Sequence, residues 1–357
     1  MSGVDNRAVV PTLLRALASW CAPDSPVDAP PSPSVRIDGR SEDGGIRQAY
    51  RATGLIALGA TALLLAPGNV QAQTPEREPA VVELATGARA MGLGFAPQVG
   101  SNDSDLAFVH PALATGLAGF QVGTSLFRDG GTGYSLSAAN SGWLGGGVSA
   151  SIQTLEYLAP GPGQRPGGLD PLFDRDGSGQ GVSETAATLT YARGLFGVDV
   201  GVSGRVTTQR FDGSRATTAM ADIGAALPIG PLKAALTVRN LGRNPELGGE
   251  TLSLPTEVVL GVGGYGQQVG PLDMGVAAQV IRRDDGEFLY GGGLEVGYWP
   301  IRGRTFVGRI GFRNVPEGDA SPVTFGGSFW GDDLVLEYAF QPVSGEDGLH
   351  RISVGWR

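Results

Sequence analysis

Apolar and polar residues alternate with a period of two along much of the chain, most clearly between residues 195 and 240. One row of alternate residues is apolar and the other is small or polar: Phe196, Val198, Val200, Val202, Gly204 and Val206 against Gly197, Asp199, Gly201, Ser203, Arg205 and Thr207. This period is that of a β-strand with one apolar face, since a helix would mix the valines with Asp199 and Arg205. A turn at Pro228 to Pro231 precedes a second alternating run, so the stretch predicts antiparallel hairpins.

The same unit repeats to the end of the chain and predicts about 14 strands. Their approximate spans are 119–128, 132–140, 142–155, 183–193, 196–209, 216–228, 231–240, 254–266, 270–282, 288–299, 304–313, 321–330, 333–341 and 348–357. An even number of such strands is typical of a transmembrane antiparallel β-barrel. The predicted fold class is therefore all-β, with the barrel over residues 119–357.

The connections between the predicted strands differ in length at the two ends. Those after even-numbered strands are tight: Asn140 to Gly142, Arg193 to Leu195, Pro228 to Pro231, Gln268 to Pro271, Pro300 to Gly303 and Gly331 to Asp333. Those after odd-numbered strands tend to be longer and more polar, as in Leu158 to Val182 and Leu241 to Ser253. Outer-membrane barrels have short periplasmic turns and long external loops, so both ends of the barrel domain are expected on the periplasmic side.

Charged residues on the predicted strands indicate which strand face points to the lumen and which points to lipid. Arg205, Arg239, Glu295, Arg309 and Glu337 share rows with small polar residues. An arginine facing lipid at mid-membrane costs roughly 2–4 kcal/mol, so these side chains are expected in the lumen. A β-sandwich, the alternative fold, would enclose an apolar interior. Aromatic residues near strand ends predict interfacial girdles: Trp143, Tyr298, Trp299, Trp330 and Trp356.

Composition excludes several classes of function. The chain has 357 residues, with 59 glycines, 17% charged residues and a net charge of −9, which disfavours nucleic acid as a partner. Cys21 is the one cysteine and there are two histidines, so a disulfide framework, a zinc site and histidine-based catalysis are poorly supplied. We expect no enzyme activity, no catalytic residues, no metal and no cofactor.

The N-terminal part predicts export from the cytoplasm. Arg47 and Arg51 precede an apolar run over 54–66, followed by small residues at Val70 and Ala72. This order is typical of a signal peptide over 47–72 cleaved near Ala72, because the run falls short of the ~20 residues of a membrane-spanning helix. Residues 1–50 are rich in proline and predict a disordered extension or a start codon further along. The expected location is the bacterial outer membrane.

Two motifs have a structural explanation that fits better than a binding site. The glycines from Gly261 to Gly266 match the dinucleotide fingerprint, but they lie inside a strand with no helix after it. The segment Asp174 to Gly179 resembles a calcium loop, with Glu184 one place early for the last ligand. A solvated external loop is the better interpretation, and calcium binding by loop 170–184 stays open.

Three short elements before the first strand resemble a known family. They are Gly87-Ala-Arg-Ala-Met-Gly92, an acidic stretch with Asp103 and Asp105, and His110-Pro-Ala112. Their order is similar to the mature N-terminus of the PorV/PorQ family, outer-membrane barrels related to the FadL fatty-acid transporters. The resemblance extends from about Glu83 to the end, through segments such as 293–299 and 336–340. His110 replaces the family's asparagine, and the chain ends Trp356-Arg357 rather than on the aromatic residue.

The resemblance implies an N-terminal segment folded inside the barrel. Residues 73–118 would form a linker and a hatch, the hatch running from about Val81 to Ala118. The hatch and lumen residues that it singles out are Arg89, Met91, Asp103, Asp105, His110 and Pro111, with Arg205, Arg239, Glu295, Arg309 and Glu337 on the wall. Arg89 is expected to pair with Glu295 or Glu337, the alternative being that it caps a turn.

Two functions follow from the resemblance. PorV relatives serve type IX secretion, which implies a non-enzymatic barrel for protein export or surface attachment, with exported proteins or secretion components as partners. FadL relatives imply the alternative, a porin-like channel for uptake of hydrophobic small molecules. Outer-membrane lipid is a partner in both. An apolar pocket in the lumen with a gap in the wall would favour transport, and a plugged polar lumen with apolar-tipped loops would favour protein docking.

Overall fold

Fourteen antiparallel strands close into one barrel, which confirms the fold predicted from the alternation. The structure is a computed structural model, and it describes residues 79–84, 87–127, 131–159, 180–247, 249–301, 304–314, 320–343 and 346–356. The strands are β1 (Gly119–Leu126), β2 (Thr132–Trp143), β3 (Gly146–Ala159), β4 (Gln180–Leu195), β5 (Val198–Phe211), β6 (Ser214–Ile229), β7 (Leu232–Gly242), β8 (Glu246–Leu247), β9 (Glu250–Thr251), β10 (Glu257–Val269), β11 (Leu272–Arg283), β12 (Phe288–Ile301), β13 (Arg304–Arg313), β14 (Val323–Trp330), β15 (Leu334–Val343) and β16 (Glu346–Trp356). β8 and β9 form a separate small hairpin, and β1 pairs with β16 to close the barrel.

The exterior of the barrel is apolar and its interior is polar. On β5, Val202 and Val206 are each 48% exposed, while Arg205 between them is 4% exposed. The strand is in the pleated conformation in which neighbouring side chains point to opposite faces, so the valine row faces outward and the polar row faces the lumen. This is the reverse of a water-soluble protein and is the arrangement of a barrel whose outer surface contacts lipid. Among the described residues, no helix is long and apolar enough to cross a membrane.

The two ends of the barrel differ as the connections predicted. At one end, here called the turn end, β2–β3 and β4–β5 are joined by Leu144-Gly145 and Phe196-Gly197. These turns lie a few residues beyond the predicted positions, because the strands continue further than the alternation indicated. The opposite end, the loop end, carries the longer connections, but two connections there are short: Asp212 and Gly213 alone join β5 to β6, and two residues separate β15 from β16, which was predicted to have a longer loop.

The segment before β1 lies inside the barrel and is called the hatch, residues 79–118. It contains 3₁₀ turns at Ala80–Val82, Ser104–Phe108 and Pro111–Gly116 and one short helix, α1, at Ala88–Gly92. α1 contacts β13 to β16, and the last 3₁₀ turn contacts β2 to β7. The hatch therefore runs from near the loop end to the turn end, where it enters β1.

The loop end of the lumen has its own apolar core. Strands β3 to β6 are 14 to 16 residues long, against 8 for β1 and β14. Their inner faces near the loop end pack with the β8–β9 hairpin and with the first hatch turn, through Val81, Leu155, Tyr157, Val182, Phe211, Leu247 and Leu252. Because this hairpin folds inward, it covers part of the lumen mouth.

The prediction that Trp330 belongs to the interfacial girdle is wrong. Tyr298 and Trp356 are 48% and 47% exposed on the outer surface, and Trp299 is 41% exposed near the end of β12, but Trp330 is 7% exposed and lies in the lumen. Its ring centroid is 5.1 Å from that of Tyr265 in an edge-on contact. Trp330 ends β14 at an inward-facing position, so its place near a strand end did not decide its direction.

Candidate functional site

A buried charge cluster, here called the central cluster, joins the hatch to the barrel wall: Arg89, Asp103, Glu295, Arg309 and Glu337. Arg89 donates two hydrogen bonds to Glu295, from Nη2 at 2.6 Å and Nε at 3.0 Å, and a third from Nη1 to Asp103 at 2.7 Å. Arg309 donates to Glu295 at 3.0 Å and to Glu337 at 3.1 Å. Each charge thus has opposite charges as neighbours, which offsets the cost of removing it from water.

Arg89 belongs to α1 and Glu295 to β12, so the bidentate pair connects segments 206 residues apart. The guanidinium of Arg89 also lies 5.0 Å from the ring centre of Tyr265 and 5.1 Å from that of Trp330. Aromatic faces attract cations, and two such faces fix the plane of the guanidinium. In the structure Arg89 contacts Glu295 directly and Asp103 in addition, and Glu337 is held by Arg309.

The other hatch residues singled out from the sequence are also buried, and among them Asp105 lies beside the cluster. Met91 is fully buried in the apolar core. Asp105 lies in the 3₁₀ turn Ser104–Phe108, and burial, with Asp103 and Glu337 nearby, raises the pKa of its carboxyl to about 7. His110 contacts Thr237 through Nδ1 at 2.9 Å, and burial lowers its pKa to about 3, so the imidazole is neutral.

Glycines on the inner wall provide the space for the hatch backbone, and these positions are called the glycine seats. A Cβ on Gly147 would lie 1.8 Å from the carbonyl oxygen of Ala114, and one on Gly201 would lie 2.5 Å from the carbonyl carbon of Pro111. Because real Cβ atoms essentially never approach below 3.0 Å, an alanine at either seat would displace the hatch. The high glycine content of the chain thus has a packing function at these positions.

A second group of charges lies nearer the loop end. Arg239 and Arg283 share the carboxylate of Glu257, and Arg283 also contacts Glu287 and Glu83, each at 2.6 Å. Arg205 binds Asp222 at 3.1 Å and donates to the carbonyl of Phe108 at 2.6 Å. The partner residues Asp222, Glu257 and Arg283 were not among the site residues expected from the sequence. All three occupy inward positions of strands, so the same alternation could have found them.

A cavity of about 100 Å³ lies between the hatch and the wall on the loop side of the central cluster. Its apolar lining includes Phe95, Phe108, Val109, Ile281 and Leu289, and its polar lining includes Gln279 and the arginines Arg205, Arg239, Arg283 and Arg313. Gln279 is 8% exposed, and its side-chain oxygen has no hydrogen-bond partner among the described residues. An unpartnered buried amide beside apolar side chains is a candidate ligand contact.

Some sequence predictions fall outside the described residues. These are the extension 1–50, the signal peptide 47–72, Cys21 and the calcium-like segment Asp174 to Gly179. Glu184, the last residue of that motif, lies within the residues that the structure describes. It faces the lumen and accepts hydrogen bonds from Val81 N at 2.7 Å, Tyr157 at 2.8 Å and Gln209 at 2.7 Å. Glu184 is therefore engaged with the hatch and the inner wall.

No protein-family model matches the chain, and no curated protein matches it. The solved structures with a similar shape include the toluene transporter TbuX of Ralstonia pickettii, with 11% identity and a TM-score of 0.47 over 76% of this chain and 97% of that one. The P. putida toluene transporter TodX has 10% identity and a TM-score of 0.46 over 75% and 95%. A Pseudomonas aeruginosa FadL homologue has 10% identity and a TM-score of 0.47 over 76% and 98%. Similarities at this level leave the ligand of this chain undecided.

Proposed function

We propose that the protein is a non-enzymatic outer-membrane channel that binds small, uncharged, mostly apolar molecules in its lumen and passes them across the membrane. The cavity between the hatch and the wall is the observation that supports this function. Its lining combines apolar and polar side chains in similar proportion, and convergent polar groups beside apolar surface are typical of small-molecule sites. The barrels compared above differ too far from this chain to support a ligand, so the proposal depends on the cavity.

The charges around the cavity favour an uncharged ligand. Three of the four lining arginines are matched by carboxylates: Arg205 by Asp222, and Arg239 and Arg283 by Glu257 with Glu83 and Glu287. The fourth, Arg313, donates a hydrogen bond to Gln341 and lies over the ring of Phe95. An ionised ligand would lose its hydration and compete with these contacts, which is costly. A ligand can contact the apolar lining and the amide oxygen of Gln279 without displacing any of them.

The size of the cavity limits the ligand to about one ring. An engineered cavity of about 150 Å³ in another protein binds benzene, so about 100 Å³ fits a molecule of this size after small side-chain movements. Passage to the turn end would then need the hatch to move, because the central cluster and the glycine seats close that route. The cavity is thus the binding site of the closed state.

The test compares two alanines that are adjacent on β4. Ala186 is 2% exposed and lines the cavity, whereas Ala187 faces outward. We expect full-length protein to bind toluene by calorimetry, Ala186→Phe to abolish binding and Ala187→Phe to leave it unchanged. Benzoate is expected not to bind. Absence of toluene binding by the wild type, or equal binding by both variants, would refute the proposal.

A second candidate is a role in protein export or surface attachment, which the PorV/PorQ resemblance implies. The hatch-filled, polar lumen favours it. Against it, Leu247 of β8 and Leu252, which directly follows β9, are buried in the apolar core instead of forming an apolar external tip. Detergent extraction followed by mass spectrometry distinguishes the candidates, since exported proteins that co-purify would support this one and a bound small molecule would support the channel.

A further inference from the structure

The outer face of β3 to β6 changes from apolar to polar towards the loop end. Two rows of directly opposed cross-strand neighbours mark the change: Thr154, Thr185, Thr208 and Thr217, and beyond them Glu156, Ser183, Arg210 and Arg215. The hydroxyls of Thr208 and Thr217 are 3.2 Å apart on the exposed surface. Closer to the turn end, the same face carries apolar neighbours such as Val206 and Ala219.

Two arginines lie side by side in the outermost of these rows. Arg210 of β5 and Arg215 of β6 are directly opposed and exposed, on either side of the Asp212-Gly213 turn. They point away from the lumen, because the residue that follows each of them along its strand, Phe211 or Ala216, is buried inside. Neither arginine has an ion pair or a side-chain hydrogen bond within the part of the chain that the structure describes. Like charges in opposed positions are destabilising. Because the described part of the chain supplies no partner of opposite charge, nothing in it offsets this repulsion.

The depth of the pair along the barrel indicates what lies beside it. Arg210 is 12 residues along β5 from Val198 at the turn end (210 minus 198), and Arg215 is 14 from Ile229 on β6 (229 minus 215). A tilted strand crosses the hydrocarbon in about 9–11 residues. The arginines therefore lie just beyond the hydrocarbon, at the level of the lipid headgroups, on a face that is continuous with the lipid-facing valines.

We propose that Arg210 and Arg215 form a binding site for phosphorylated headgroups of the membrane lipids at the loop end. Two guanidinium groups side by side match the oxygens of a phosphate and supply charge-assisted hydrogen bonds. The threonine row below offers hydroxyls to the sugar or glycerol part of the headgroup. Lipid is favoured over another protein, because the outward face immediately below the pair is the apolar face that a transmembrane barrel presents to lipid. The site is independent of the lumen cavity.

The test measures lipid retained by the purified full-length barrel. The probes are a bisphosphorylated glycolipid, lipid A, and an uncharged diacylglycerol, each added in detergent and followed by native mass spectrometry. We expect R210Q/R215Q to reduce the lipid A-bound fraction about tenfold, since loss of two charge-assisted contacts corresponds to at least ~1.4 kcal/mol. Diacylglycerol binding is expected to be weak and unchanged.

The matched control is R193Q/R304Q, which removes the same charge from two outward, exposed arginines near the turn end. It is expected to retain lipid A as the wild type does, and circular dichroism checks that both double variants keep the barrel. Equal retention by R210Q/R215Q and the wild type would overturn the proposal and identify the pair as a solvated hairpin tip. Displacement of lipid A by millimolar inorganic phosphate would overturn lipid as the natural source.

Discussion

The sharpest consequence of the glycine seats concerns Gly311, which faces the hatch from β13. An alanine Cβ there would lie 2.0 Å from the amide nitrogen of Gly94 and 2.4 Å from the carbonyl carbon of Leu93. Because real Cβ atoms essentially never approach below 3.0 Å, the hatch backbone would have to move by at least 1.0 Å (3.0 minus 2.0). The hydrogen bond from Gly94 N to Thr324 Oγ1, 3.0 Å long, would be strained by the same movement.

The expected cost of Gly311→Ala follows from these contacts. Overpacking costs about 1–3 kcal/mol and a lost hydrogen bond about 1 kcal/mol. An increase of ~1.4 kcal/mol raises the population of undocked hatch about tenfold. Hydrogen exchange of the α1 segment, followed by mass spectrometry in detergent, measures that population. We expect exchange to rise by at least this factor while the strands stay protected.

Gly308 provides the control on the same strand. It faces outward and a Cβ there would meet nothing within 4 Å, so Gly308→Ala is expected to leave exchange of α1 unchanged. If Gly311→Ala left exchange of α1 as low as Gly308→Ala does, the close packing of the hatch against the wall would be refuted. If both substitutions raised exchange of α1, the effect would belong to β13 itself and not to the seat.

Three further outcomes are expected. Arg89→Met should weaken hatch docking by ~3–5 kcal/mol, because it leaves buried carboxylates without an opposite charge. Adding Glu295→Gln to that variant should recover part of the loss. Urea titration monitored by hydrogen exchange measures docking in the single and the double variant, and equal losses in the two would contradict the pairing of Arg89 with Glu295. Burial raises the pKa of Asp105 to about 7 from its ordinary 3.8. Between these two pH values the carboxyl is protonated in the docked hatch but ionised in the undocked hatch, so docking should weaken as pH rises from about 4 to 7. Asp105→Asn should abolish this pH dependence. In single-tryptophan variants, brominated lipids should quench Trp356 but not Trp330, and equal quenching would contradict the inward position of Trp330.

The alternation of residue types predicted the barrel because each side chain's face depends only on its parity along the strand. The lumen positions of Arg205 and Glu295 follow from this local rule. The contacts between them do not, since the partners of the hatch lie far away in sequence: Arg89 and Glu295 are 206 residues apart. Trp330 shows the limit of a positional rule, because closeness to a strand end suggested an interfacial residue while parity placed it inside.

The cavity could not be predicted from the sequence. It is the space left between the hatch and residues of several strands, among them Ile281 of β11 and Leu289, which follows β12's first residue. No local pattern records how well surfaces from distant segments fit. Glycine content was informative only in part: parity places Gly201 on the inner face and Gly204 on the outer face of the same strand, but it does not show which inward glycines the hatch backbone contacts.

The pairing of β1 with β16 constrains how the barrel and its hatch assemble. Phe120 lies opposite Trp356, so the wall is sealed by the first and last strands, after nearly all of the barrel has been synthesised. The segment before β1 already contacts residues such as Arg283, 200 positions away, from within the enclosed space. A continuous hydrogen-bonded wall offers the hatch no entrance from the side, so the hatch has to dock either before the seam forms or through an open end of the barrel. Variants that weaken hatch docking are therefore expected to leave the lumen open and to leak.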